Sequence, residues 1–121
     1  GFLTGKYERV GDGTYDLDAP EGTRAELDEM FEDWYVSERG WHVLDAVREV
    51  ADEVDATPAQ VALRWLMDQP DFDCVPIVGA RTVDQLDENL DAIDVSISDE
   101  QFDRIFEARY DEDGSLYRTN V

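Results

Sequence analysis

The sequence predicts an α/β unit, mostly helical, with at most two strands. Three observations predict it. Val75, Pro76, Ile77 and Val78 make a short apolar run, largely β-branched and ended by Gly79. That is the pattern of a strand buried on both faces, as in a parallel sheet. Thr57 with Gln60, Thr82 with Gln85, and Ser98 with Gln101 repeat the spacing of a capping box, in which the two side chains satisfy each other's backbone N–H groups. Behind each cap, apolar residues recur at helical spacing. Strands are therefore expected at Gly1–Thr4 and Val75–Val78, and helices near 42–54, 58–69, 82–93 and 99–109.

At the start of the chain, Phe2 and Leu3 begin the first strand, and Gly5 and Lys6 stand at its end. The Gly-Lys pair is not a P-loop, which needs the full G-x-x-x-x-G-K-S/T, and Tyr7 breaks it. Residues 8–40 hold no lasting periodicity, and Gly11, Gly13, Pro20 and Gly22 punctuate them. A short helix is expected from Ala25 to Trp34, with Leu27, Met30, Phe31 and Trp34 on one face. In the next helix Leu44, Val47, Ala51 and Val54 form the inward stripe. Thr57 and Pro58 then open a second helix, Pro58 at the first helical position, with Val61, Ala62, Trp65 and Leu66 facing inward. Val83, Leu86, Leu90 and Ile93 make a third stripe, and Phe102, Ile105, Phe106 and Ala108 a fourth. The tail from Tyr110 is polar and Gly-interrupted, expected to be mobile unless docked.

The turn between Val78 and the third helix has chemical consequences. The first N–H groups of a helix lack intrahelical partners and carry the positive end of its dipole. A phosphate is stabilised there. Arg81 sits in this turn, and a guanidinium holds a phosphate through two parallel hydrogen bonds. Gly79 allows close approach of a ligand. Gln85, Glu88 and Asn89 follow on the helix and offer both donors and acceptors, as a nucleobase requires. The residues describe a phosphate and base clasp. They also fit a buried strand feeding an ordinary capped helix, with Arg81 neutralising nearby acids.

Composition narrows the function classes. The chain has 121 residues, enough for one small domain. Its formal net charge is −21, from 31 acidic and 10 basic residues, and Lys6 is its one lysine. So acidic a chain repels nucleic acid and anionic membranes. A 42% hydrophobic content with three Trp argues against disorder. Excess carboxylate with lysine almost absent resembles the proteins of salt-loving archaea, whose self-repulsion is screened at molar salt. The single Cys74 excludes an internal disulfide and fits a reducing, cytoplasmic setting. No apolar run is long enough to span a membrane. His42, the one histidine, has no Ser or Cys at a suggestive spacing and is assigned no catalytic or metal role. YDEDGS lacks the spacing of a calcium loop. The chain begins at Gly1 without Met, which suggests a processed, excised or incomplete chain.

VPIVGARTVDQLDENL, from Val75 to Leu90, resembles the last strand, loop and helix of the aldo-keto reductases. GFLTGKY, PEGTR and ATPAQVALRWLMDQP resemble earlier segments of the same family. The resemblance implies the C-terminal part of an eight-stranded β/α (TIM) barrel, from the end of strand seven through strand eight and the surrounding helices. Residues 1–121 would then form part of a reductase domain. NADP is the implied cofactor and a small carbonyl compound the implied substrate. Gly79, Arg81, Gln85, Glu88 and Asn89 would bind the adenosine 2′-phosphate and adenine, with Lys6 near the cofactor and Arg24 reaching its phosphates. The family's catalytic Asp, Tyr, Lys and His lie on earlier strands and loops, so no catalytic residue is assigned here. The implied partner is the missing N-terminal portion of the barrel, and without it the helix stripes are expected to expose a large apolar patch. The alternative is a truncated, non-catalytic nucleotide- or partner-binding module, or the remnant of a broken gene.

Overall fold

The computed structural model describes residues 1–11, 17–18, 20–23, 35–111 and 113–115. Arg24 and the helix expected from Ala25 to Trp34 lie outside the described residues. Among the described residues there are four α-helices: α1 (Glu38–Val54), α2 (Pro58–Met67), α3 (Val83–Asp91) and α4 (Asp99–Glu107). Each begins on a side chain that accepts a backbone N–H three residues on, from Ser37, Thr57, Thr82 and Ser98 in turn. The capping boxes at Thr57 and Ser98 form in full. α1 starts four residues before its expected beginning, because Ser37 caps it and Trp41 joins the buried face.

Neither expected strand forms. Phe2–Thr4 is a 3-10 turn closed by Gly5 in the left-handed region, at φ 80°. A Cβ at Gly5 would also stand 3.0 Å from the Pro58 ring, so the turn needs glycine twice over. Val75–Val78 takes no regular structure and joins no ladder, with Val75 88% and Ile77 101% exposed. An apolar run becomes a buried strand only beside strands that satisfy its N–H and C=O groups, and the described residues supply none. The only ladder among them is a small antiparallel pair, β1 (Glu8–Arg9) with β2 (Leu17–Asp18), which the sequence did not signal.

The core sits on α1 in two clusters. Phe2, Tyr7, Val36, Trp41 and Leu44 form one, with the Phe2 and Trp41 rings edge to face at 5.0 Å. Ala46, Val47, Val50, Ala51, Val61 and Ile105 form the other, where α2 and α4 meet α1. Trp65 stacks on Phe102 at 5.1 Å and donates its indole N–H to the Phe102 carbonyl, tying α2 to α4. The stripe of α3 is a correction to the expected pattern: Val83, Leu86, Leu90 and Ile93 are all exposed, as is Leu66 on α2. Only Ala92, in the 3-10 turn Ala92–Asp94 after α3, is buried there. These apolar groups share the fate of Val75 and Ile77, having the right spacing and nothing to pack against.

Candidate functional site

The site is the turn from Gly79 to Thr82 with the first turns of α3. The Thr82 hydroxyl accepts the Gln85 N–H at 3.1 Å and starts the helix. Gln85 does not complete the expected capping box. Its side-chain oxygen takes the backbone N–H of Arg81 at 2.8 Å, one residue earlier than the cap. One turn on, the Asn89 amide donates to the Gly79 carbonyl at 3.2 Å. Two amides on one face of α3 therefore hold both ends of the segment Gly79–Arg81. Gln60 anchors α3 by donating to the Glu88 carbonyl at 3.0 Å, and Arg64 anchors the 3-10 turn that follows it by donating to the Ile93 carbonyl at 3.3 Å.

Fixing the backbone of this loop leaves the Arg81 side chain exposed and directed across to residue 22, whose carbonyl accepts from Nη1 at 3.2 Å. Among the described residues Arg81 makes no ion pair, whereas Arg9, Arg48, Arg64 and Arg104 each hold a carboxylate. The cation lies next to the N-terminus of α3, where the N–H groups of Val83 and Asp84 have no intrahelical acceptor. An anion at this end would meet a guanidinium and a dipole together. Asp84, in the first turn, opposes an anion. A Cβ at Gly79 would meet nothing within 4 Å, so the chain itself makes no demand for glycine there.

The structure thus brings together Gly79, Arg81, Gln85 and Asn89. Glu88 shares their helix and is half-buried, and its carbonyl is spent on Gln60. Lys6 is exposed, with its ammonium 5.4 Å from the Tyr7 ring, and no contact joins it to the Arg81 loop. Arg24 lies outside the described residues. Arg48, which sequence reasoning missed, positions the segment around Lys6. Its Nη2 donates to the Gly5 carbonyl at 2.9 Å, the Tyr7 carbonyl at 2.7 Å and the Glu8 carboxylate at 3.1 Å. These partners lie some forty positions away in the chain, beyond any local motif. Among the described residues no cluster of His, Cys, Asp and Glu suits a metal, and no helix is long and apolar enough to cross a membrane.

Gly79 and Asn89 also line a groove of about 690 Å3 that runs between the Phe2–Thr4 turn, α1 and α2. The clasp therefore opens onto a wider apolar channel.

Comparisons with known proteins converge on one family. An NADP(+) aldo-keto reductase, yakc, of Schizosaccharomyces pombe is 32% identical over 111 residues, covering 89% of this chain and 29% of its own length. The aryl-alcohol dehydrogenase of Phanerodontia chrysosporium, also named for NADP(+), is 38% identical over 86 residues, 70% of this chain and 22% of the relative. A probable aldo-keto reductase of Glycine max is 37% identical over 67 residues, 55% of this chain and 19% of the relative. The chain spans less than a third of the length of these curated relatives. The model of the aldo/keto reductase family matches residues 1–109, and the chain belongs to that family.

Proposed function

We propose that the chain is the C-terminal, NADP-binding part of an aldo/keto reductase barrel, in an enzyme that moves hydride between NADPH and a small aldehyde or ketone. The observation that supports this reading is the pair of side chains that fixes the Arg81 loop. Gln85 and Asn89 hold Arg81 and Gly79 by their backbones, which leaves the guanidinium exposed and bound, among the described residues, only through Nη1 on the Gly22 carbonyl. The residues present fit the cofactor. Arg81 and the N-terminus of α3 would hold the 2′-phosphate. The Gln85 amide nitrogen, the Asn89 amide oxygen and the Glu88 carboxylate offer the mixed donors and acceptors that adenine requires. On the strength of the family resemblance, Lys6 lies near the cofactor and Arg24 reaches its phosphates. When bound, the cofactor supplies the hydride, and this part of the protein orients it.

The exposure of Val75, Ile77, Leu86 and Leu90 agrees with a missing partner, the remaining strands of an eight-stranded barrel of about 250 residues. The catalytic Asp, Tyr, Lys and His belong to that partner. The purified chain should therefore reduce no aldehyde or ketone with NADPH, because it lacks the proton donor. Turnover by the chain alone would sink this division of labour.

The cofactor assignment is tested by titrating NADP and NAD into the protein and into Arg81→Ala at one salt concentration. A charge-assisted hydrogen bond contributes about 1.5–3 kcal/mol, and tenfold in affinity is about 1.4 kcal/mol. The substitution should weaken NADP at least about tenfold and leave NAD little changed. Equal weakening of both cofactors would show that Arg81 does not read the 2′-phosphate.

A further inference from the structure

α3 carries the clasp, yet packing does little to hold it. None of its side chains is buried, and Val83, Leu86 and Leu90 on its apolar stripe are exposed. Burial therefore contributes little to where the helix stands, and hydrogen bonds set its place. The Thr82 hydroxyl, Gln85 and Asn89 tie the turn Gly79–Thr82 to α3, so turn and helix form one unit. Gln60 on α2 joins that unit to the body of the fold. Its Nε2 donates to the Glu88 carbonyl at 3.0 Å. Its Oε1 accepts the Thr57 N–H at 3.0 Å, and its own N–H donates to the Thr57 hydroxyl at 3.2 Å. Both ends of the amide are used, which locks the side chain to the start of α2. The acceptor also needs a partner. Glu88 lies in the last turn of α3, where carbonyls lose their intrahelical donors. The Ala92 N–H, which would reach Glu88 in a continuing helix, goes to the Asn89 and Leu90 carbonyls. Arg64 also bonds across this junction, but at 3.3 Å, to Ile93 beyond the helix, and with Asp68 holding the same guanidinium.

We propose that Gln60 is a positioning residue for the cofactor: its amide docks the clasp on α2 at the place and angle that let one dinucleotide span both. The inference rests on the reading of the Gly79–Asn89 segment as the adenosine clasp. On that reading the adenosine end of NADP lies on the turn and α3. The rest of the molecule reaches the body of the fold, where the family resemblance puts Lys6. A ligand that bridges two units gains from the second only when their spacing and angle match it. Gln60 touches no part of the cofactor. The grip on the 2′-phosphate is internal to the clasp and does not depend on Gln60, whereas the alignment of the clasp with the body does.

Three variants separate the tether from the cap. Gln60→Glu keeps an acceptor for the Thr57 N–H, as a capping box allows, but an ionised carboxylate cannot donate to the Glu88 carbonyl. Gln60→Met removes both bonds and adds no charge that could act on a phosphate. Thr57→Ala weakens the cap and leaves the Gln60 amide on Glu88. Residual dipolar couplings, with no ligand present, should fit α2 and α3 to one fixed orientation in the unsubstituted protein and in Thr57→Ala, and fail to do so in both Gln60 variants. NADP and adenosine 2′-monophosphate are then titrated into the unsubstituted protein, Gln60→Met and Thr57→Ala. In Gln60→Met the extra affinity of NADP over the monophosphate should fall about three- to tenfold, the effect of losing one hydrogen bond, with the monophosphate itself unchanged. Thr57→Ala should keep that extra affinity while its urea midpoint falls. One fixed orientation of α2 and α3 in both Gln60 variants overturns the inference. So does an extra affinity that is absent from the unsubstituted protein, unchanged in Gln60→Met, or lost equally in Thr57→Ala, and so does equal weakening of the two ligands in Gln60→Met. Binding of neither ligand by the unsubstituted protein, with α3 freed in the Gln60 variants, would instead sink the cofactor reading and leave Gln60 as the residue that docks α3.

Discussion

Arg48 fixes the first turn of the chain with a single terminal nitrogen, Nη2, shared among two carbonyls and a carboxylate. Its side chain is 28% exposed, so water replaces these contacts only in part when it is removed. Arg48→Ala should destabilise the fold by about 1.5–3 kcal/mol, the range for hydrogen bonds to a charged donor. Arg48→Lys should recover only part of the loss, because an ammonium lacks the planar fork. Urea unfolding of both variants checks this, and a neutral Arg48→Ala would show that the turn holds without it. Gly40 makes the converse point. Inside a helix, Gly→Ala ordinarily gains about 1 kcal/mol. Here a Cβ would run into the Tyr35 carbonyl oxygen and come within 3.3 Å of the Ser37 hydroxyl that caps the helix. Gly40→Ala should therefore lower the urea midpoint, and a raised midpoint would mean that the cap yields without cost.

At the scale of elements, α4 docks on α1 through Arg104. Its guanidinium binds Glu100 on its own helix and Glu53 on α1, with Glu49 at 4.0 Å. Gln101 adds a bond to Glu53 at 2.8 Å while it closes the cap of α4. The Glu53 carboxyl is held below its usual 4.5, first by the Arg104 hydrogen bond and then by Gln101. A depressed carboxylate pKa gives stability that is complete above the unfolded value and is lost as pH falls through the folded one. Acid should thus loosen α4 below about pH 4.5, and Glu53→Gln should flatten that part of the stability curve. The effect should shrink in molar salt, because the pair is exposed. An unchanged acid limb in Glu53→Gln would assign the loss to other carboxylates. The cap at Ser98 was legible in the sequence because Ser98 and Gln101 are three residues apart and satisfy each other locally. So was the stripe of α1, which is periodic, whereas the amide bonds from Gln85 and Asn89 that tie the Gly79–Arg81 turn were not, since the spacing pointed Gln85 to a capping box instead. The run Val75–Val78 was legible as apolar but not as unpaired, since pairing depends on other strands. The β1–β2 ladder offered two residues a side and no alternation to read. Arg104 to Glu53 spans 51 positions, and nothing near either residue announces the other.

For the molecule as a whole, charge and exposed apolar surface pull in opposite directions. A net charge of −21 on a small fold opposes compaction and keeps copies apart at low salt. Raising salt from about 0.1 M to 1 M shortens the Debye length from about 10 Å to about 3 Å. The thermal midpoint should rise over that range, and self-association through the bare apolar face should increase with it. A falling midpoint would mean that lost ion pairs outweigh relieved repulsion. The exposed run Val75–Val78 then separates this fold from the one proposed for the longer protein. Ile77 is 101% exposed, so it adds nothing to the stability of the chain as it stands. Ile77→Ser should change its unfolding free energy by no more than about 0.5 kcal/mol, as at any uninvolved surface site, while reducing association at high salt. In a closed barrel the same side chain would be buried, and removing most of it should cost about 2–5 kcal/mol. Equilibrium unfolding of Ile77→Ser, in the chain and in a protein that contains the remaining strands, measures both numbers. Equal, small costs in the two would mean that Val75–Val78 never becomes a barrel strand. A large cost in the chain alone would mean that the run is already packed there.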